Sequence, residues 1–398
     1  MPTPITSLFW ISVCAVLAPL AAGMVPRRLV PEVVLLLLSG TVIGPFVLDL
    51  AAHDQAIDLL SQLGLGMLFL LAGYEIELSQ LTDREGRRAG FTWLGCLCLA
   101  LAAVALAGLT TVINSEVAVA IALTSTALGT LLPILKDAQM LSGAVGSAVL
   151  RHGAIGELGP VVVMGLFLGS RGPLLSGALL ALFVLVALIV SLPTTWLRRD
   201  SSRLLQTIRL GSETTGQTPV RLTLLLLVTL IAIAADFRLE SVLGAFAAGF
   251  ILRRALPDGS SLLESKLDGV GFGFLIPVFF VTSGMAIDPN VLAGHTWDLV
   301  AFVAMMLVLR GGPVYVATRF SRVSGSQTLT PRQSLRVAVY ASTGLPIIVA
   351  VTTLAVSSHE MTRANASVLI AAGAVTVLLF PMVATMVGSR DVASRSVT

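Results

Sequence analysis

LGLGMLFLLAGYEIEL, residues 63–78, and VGFGFLIPVFFVTSGMAID, residues 270–288, are two versions of one segment. Each opens with a G-x-G, Gly64 and Gly66 in the first and Gly271 and Gly273 in the second. Each goes on to F-x-x-x-G-x-x-x-acid: Phe69, Gly73, Glu77, then Phe280, Gly284, Asp288. A second pair follows in the same order. Ser125-Thr126 lies in TSTALGTLLP and Ser342-Thr343 in ASTGLPIIV. Paired segments in consistent order across two halves of a chain are the signature of an internal repeat.

Both copies are apolar, and so is the rest of the chain. Of 398 residues, 56% are hydrophobic and 12% charged, with mean hydropathy +0.93. Soluble domains carry about 25% charge. The composition excludes a soluble enzyme, a disordered chain and a nucleic-acid binder, in spite of the net charge of +3. A helix needs roughly 20 apolar residues to cross a bilayer. Thirteen segments approach this: 5–24, 33–51, 57–78, 90–112, 117–135, 143–168, 174–197, 220–235, 239–253, 268–287, 297–318, 333–356 and 364–387. The fold class is therefore an all-α polytopic membrane protein with the lipid bilayer as its solvent. Arg27 and Arg28 follow the first span and no basic residue precedes it, which favours a retained helix over a cleaved leader. Cys14, Cys96 and Cys98 lie inside spans and read as small buried side chains.

Alternate connections carry 20 of the 25 basic residues, the opposite set carries Arg171, Arg238 and Arg363, and Arg151 and Arg310 fall within spans. The basic side is cytoplasmic. This puts the N-terminus outside, the C-terminus inside, and the protein in the cytoplasmic (inner) membrane. The polar stretch 198–219 is central and reads as a linker. The repeat relates span 3 to span 10 and span 5 to span 12. An offset of seven helices inserts the halves with opposite orientation. Inverted repeats of this kind build alternating-access transporters, with the site near mid-membrane.

Ionisable residues deep in a membrane are functional candidates because burying charge is costly. Glu157 sits near the middle of the sixth span and Arg310 inside the eleventh. Glu157 is either the titrating carboxylate of transport or a carboxyl that only holds helices together, as in a static pair with Arg310. Arg310 is likewise either scaffold or part of the cycle. Arg151 can reach headgroups by snorkelling, and His152 beside it reads as structural. Thr124, Ser125 and Thr126 precede Gly129 and Pro133, and Ser342 and Thr343 precede Gly344 and Pro346. Such sequences weaken a helix, and unwound backbone is tolerated where it lines a polar cavity or is buried in protein. The competing reading is an ordinary proline kink with hydroxyls bonded to their own backbone. No phosphate loop, metal-ligand cluster or nucleophile triad is present, so neither an enzyme nor a bound cofactor is expected.

These residues resemble the monovalent cation:proton antiporter superfamily, and within it the cation:proton antiporter-2 branch with the Kef-type exchangers. The matching stretches are LLLLSGTVIGP (35–45), LGLGMLFLLAGYEIEL (63–78), LTSTA (123–127), LGAFAAGFILR (243–253) and FLIPVFFVTSGMAID (274–288). The resemblance implies 13 helices with two crossed, broken ones, the fifth and twelfth. It implies a scaffold and dimerisation part (1–88 and 220–290), a mobile core (89–170 and 296–388), and a linker (171–219). It further implies a homodimer and an elevator-like motion. The family's essential carboxylate falls at Glu157 and its basic partner at Arg310. Family members usually carry Asp there, often after Asp, Asn or Gln; here the pair is Gly156-Glu157. No counterpart of the Kef-type nucleotide-binding regulatory domain is expected.

The function expected is exchange of protons for a monovalent cation, Na+ or K+, competing for Glu157. The cation site would comprise Glu157, Gly156, Thr124, Ser125 and Thr126, with Arg310 compensating charge and Ser342 and Thr343 on the second broken helix. One carboxylate implies electroneutral one-for-one exchange. The alternatives are a proton-coupled exporter of an organic cation or antibiotic, for which Gly156 would make room, and a non-transporting sensor or gated pore.

Overall fold

The computed structural model describes residues 2–24, 30–75, 83–108, 115–129, 131, 135, 140, 143–168, 217–236, 241–256, 261–320, 322–323 and 327–395. The helices are α1 (Pro4–Met24), α2 (Glu32–Ile43), α3 (Gln55–Glu75), α4 (Arg84–Gly108), α5 (Glu116–Thr124), α6 (Ala144–Phe167), α7 (Thr218–Asp236) and α8 (Ser241–Ala255). They continue as α9 (Ser261–Met285), α10 (Pro289–Gly294), α11 (Thr296–Phe320), α12 (Pro331–Ala341), α13 (Pro346–Ser357) and α14 (Arg363–Arg395). The fold is all-α apart from a two-residue pairing of Arg322–Val323 with Gln327–Thr328.

Twelve of the 13 predicted spans fall on helix; the seventh, 174–197, lies outside the described residues, as do Glu77, Pro133 and nearly all of 198–219. Two boundaries differ for clear reasons. The second span ends at Ile43 rather than 51, because Gly44-Pro45 closes the helix, with the Gly44 N–H donating to the Gly40 carbonyl. The helix of the tenth span, α9, starts at Ser261 rather than 268. Its first turns carry Glu264, Lys266 and Asp268, which lower hydropathy without lowering helix propensity. Asp288, the acid ending the second repeat copy, caps α10 by accepting from the Asn290 N–H at 2.9 Å.

The chain forms two compact units. One comprises Met1–Ala52, Leu78–Met164 and Val281–Thr398; the other comprises His53–Glu77 and Gly165–Phe280. In the second unit α3 and α8 meet backbone to backbone. A Cβ on Gly73 would collide with the Phe246 carbonyl, and one on Gly249 with the Leu70 carbonyl. In the first unit α2 and the end of α9 meet in the same way. A Cβ on Gly284 would strike the Leu37 carbonyl, and one on Gly40 the Val281 carbonyl. In all four cases the struck carbonyl lies three residues before the opposing glycine. Gly73 and Gly284 are the repeat-matched glycines, and α2 and α8 are likewise related by the seven-helix offset. The repeat seen in the sequence is thus a repeated packing device, small residues letting membrane helices approach closely.

In the first unit, apolar packing joins α6 to α12 and α14 through Val145, Val149, Val337, Tyr340, Ala341 and Phe380. A capping box of Thr330 and Gln333, with Pro331 at the first turn, fixes where α12 begins. Phe91 and Trp297 stand exposed, as on lipid-facing helix surfaces.

Candidate functional site

All eight site residues of the sequence reading lie in the first unit. Helix α5 stops at Thr124, and Ser125 turns into extended backbone with ψ 153°. Helical turns resume at Leu128. Helix α12 stops at Ala341, and α13 starts at Pro346. Each break therefore spans only three or four residues. The two breaks touch directly. The Ala127 N–H donates to the Thr343 carbonyl at 2.6 Å, and the Thr126 hydroxyl donates to the Ala341 carbonyl at 2.5 Å. The Thr126 N–H donates to the Gly156 carbonyl at 2.9 Å, tying the crossing to the turn of α6 that bears Glu157.

Both readings of the Ser/Thr clusters turn out to hold at once. The helices are broken, and several hydroxyls also serve their own backbone. The Thr124 hydroxyl donates to the carbonyls of Ala120 (3.0 Å) and Ile121 (3.1 Å), Ser125 to Ala122 (2.8 Å), and Ser342 to Ala338 (2.9 Å). A helix C-terminus leaves carbonyls without intrahelical partners, and here the adjacent side chains take them up. Thr343 Oγ1 differs: it is buried and has no hydrogen-bond partner among the described residues.

Glu157 is 4% exposed and Arg310 fully buried. Arg310 lies in a π-helical stretch of α11, Met306–Gly311; such bulges often occur at functional sites. Its Nη2 donates to the His152 carbonyl at 2.7 Å, and Nη2 and Nε both approach Thr126 Oγ1, at 3.1 and 3.2 Å. Nη1 lies 3.8 Å from Cys96 Sγ. Every one of these partners is neutral, so they solvate the guanidinium without cancelling its charge. An unneutralised charge out of water costs several kcal/mol, and Glu157 is the next residue along α6 from the point the guanidinium covers.

That point is Gly156. A Cβ there would overlap Arg310 Nη2 and Thr126 Oγ1. The side-chain volume at 156 is thus occupied, but by groups from α11 and the α5 break. In this structure the space left by the glycine holds the arginine and the threonine hydroxyl.

Three contributions were not visible in the sequence. Trp93 Nε1 donates to the Thr124 carbonyl at 3.2 Å. The Cys96 thiol donates to the Arg310 carbonyl at 3.7 Å, so this buried cysteine packs against the site. Arg151, expected to snorkel, instead pairs with Glu85 at 2.6 Å and Asp83 at 3.1 Å, because the start of α4 brings two carboxylates to it. No spacing rule relates positions 93, 96 or 83 to residues of α5, α6 or α11. Among the described residues no cluster of His, Cys, Asp and Glu is arranged to hold a metal ion.

A multi-pass helical membrane fold built on an inverted repeat, with two broken helices crossing beside a buried carboxylate, is the architecture on which alternating-access membrane transporters are built. The family model "Sodium/hydrogen exchanger, transmembrane" matches residues 12–388, and the chain belongs to that family. It is 26% identical over 325 residues to the "Putative Na(+)/H(+) antiporter YjbQ" of Bacillus subtilis, covering 77% of this chain and 51% of that protein. The chain thus spans about half the length of that relative. It is 22% identical over 277 residues to the "Probable Na(+)/H(+) antiporter 3" of Methanocaldococcus jannaschii, covering 66% of this chain and 67% of that one. The solved sodium proton antiporter MjNhaP1 of the same archaeon shares the fold, with TM-score 0.62, 18% identity and 97% of each chain covered.

Proposed function

We propose that this protein exchanges protons for a monovalent cation, Na+ or K+, and that the two compete for Glu157. The observation that carries the reading is a buried carboxyl on α6 at the crossing of two helix breaks, one residue from a guanidinium whose hydrogen-bonding partners among the described residues are all neutral. Carbonyl and hydroxyl oxygens of the breaks can replace the water of an alkali cation. Thr343 Oγ1 is one such oxygen with no other duty. The relatives named as Na(+)/H(+) antiporters support protons and sodium among these substrates.

The mechanism follows from charge. The core crosses the membrane only when Glu157 is neutralised, by a proton or by a cation. Arg310 keeps its charge throughout, since arginine does not deprotonate in proteins. Both loaded states then carry equal charge, and exchange is one-for-one and electroneutral. The moving part is 89–170 with 296–388, against a scaffold of 1–88 with 220–290, in a homodimer. The orientation is N-terminus outside and C-terminus cytoplasmic, as the basic residues argue. Within the family, the resemblance of the stretches at 35–45, 63–78, 123–127, 243–253 and 274–288 supports the Kef-type branch.

Export of a larger organic cation is the less favoured reading, because Arg310 and Thr126 fill the space beside Gly156. In inside-out vesicles acidified by respiration, sodium or potassium is expected to collapse the proton gradient, and Glu157→Gln to abolish that response. Flux of either ion without proton counterflow would instead identify a pore.

A further inference from the structure

Helix α4 is no part of either broken helix, yet it reaches three pieces of the site. Trp93, 5% exposed, donates its indole N–H to the Thr124 carbonyl at 3.2 Å. Thr124 is the last residue of α5, and the carbonyl before the break has no helical N–H to accept from. The face of the same indole lies on Gly159, where a Cβ would overlap Cδ2, Cε2 and Cζ2. Gly159 follows Glu157 by two residues on α6. One turn further along α4, Cys96 exchanges contacts with the Arg310 backbone carbonyl and guanidinium. One rigid ring therefore spans from the break to the carboxylate's helix.

A buried indole needs an acceptor for its N–H, and many carbonyls would serve. This one takes the carbonyl at the C-terminal end of the α5 half-helix. Around it the Ile121 carbonyl is held by the Thr124 hydroxyl, and the Ala122 carbonyl by the Ser125 hydroxyl. Trp93 takes up the last of them, that of Thr124. A carbonyl engaged in this way has one of its two lone pairs committed to the indole and its direction fixed by it.

We propose that Trp93 is a positioning residue that sets cation preference: it withholds the Thr124 carbonyl from the bound ion and fixes the distance between the α5 break and the Glu157 turn. Selectivity among alkali cations depends on cavity size and on how many oxygens coordinate. With the N–H removed, the Thr124 carbonyl is free to turn and add an oxygen, and the site accommodates a larger ion.

This inference rests on the antiport reading, and the experiment separates the two. Proton flux driven by lithium, sodium, potassium and rubidium is titrated in vesicles for the parent, Trp93→Phe and Gly159→Ala. Phenylalanine keeps an aromatic ring beside Gly159 but loses the donor together with part of the indole's area, so Gly159→Ala, which leaves the donor in place and displaces the ring, is the companion variant. Trp93→Phe is expected to shift the ratio of KM values toward the larger cations by about three- to tenfold, the range for loss of one hydrogen bond. Gly159→Ala is expected to shift it in the same direction. Unchanged KM ratios in both variants, with parental antiport intact, would reduce Trp93 to core packing and overturn the proposal. If Trp93→Phe does not fold, Gly159→Ala decides alone. A parent without cation-driven proton flux sinks the antiport reading, and this inference with it.

Discussion

Gly156 shows how one residue organises the centre. Its missing side chain is replaced in space by Arg310 Nη2 and Thr126 Oγ1. A side chain there must displace the guanidinium from the His152 carbonyl and the Thr126 hydroxyl. Gly156→Asn is therefore expected to lower both stability and exchange. The overpacking cost is about 1–3 kcal/mol, read as a depressed melting temperature in detergent; an unchanged melting temperature would mean that Arg310 has somewhere else to go. Arg310→Lys keeps the charge but lacks a planar fork to reach Thr126 and His152 together. Each charge-assisted bond lost is expected to cost about 1.5–3 kcal/mol. Competition at Glu157 has its own signature. Acidification should raise the apparent KM for the cation and leave the maximal rate unchanged. The limit for one proton per cation is about tenfold per pH unit where the protonated form dominates. A maximal rate that falls while KM stays constant would place the titrating group elsewhere.

At the level of elements, packing repeats as the sequence does. Gly73 and Gly284 each sit against a carbonyl of a partner helix, and their partners Gly249 and Gly40 answer from the other side. Alanine at Gly73 or at Gly284 is expected to destabilise by a similar 1–3 kcal/mol, roughly, for overpacking. Alanine at Gly269 or Gly273, with open space around each, should cost nothing in packing and gain up to about 1 kcal/mol in helix propensity. A stability scan of the four variants in detergent checks the symmetry. Much of this was legible in the sequence. Span length gave the helices, the Ser/Thr-Gly-Pro clusters gave the breaks, and two intramembrane charges gave Glu157 and Arg310. Other features were not legible. That the Thr124, Ser125 and Ser342 hydroxyls face their own backbone while Thr343 does not depends on rotamers. The part played by α4 depends on contacts between residues 31 apart for Trp93 and Thr124, and 214 apart for Cys96 and Arg310. The neutral hydrogen-bond partners that Arg310 finds among the described residues could not be read either, because a sequence shows which charges are buried but not which groups solvate them.

Over the whole molecule, the 20-to-3 distribution of basic residues predicts the sidedness of every connection. Cysteine placed at Lys266 should react with an impermeant maleimide only from the cytoplasmic face, and cysteine placed at Arg363 only from outside. Labelling of both from one side would break the inverted topology and with it the alternating-access account. The central claim concerns transport itself: one carboxylate, neutralised in turn by a proton and by a cation, carries the exchange. Its most direct test is proton flux in inside-out vesicles with an internal pH dye, challenged with lithium, sodium, potassium and rubidium, for the parent and for Glu157→Gln. Cation-triggered alkalinisation in the parent, absent in Glu157→Gln and indifferent to membrane potential, is the expected result. Parental flux that persists in Glu157→Gln, or none with any of the four ions, would contradict it.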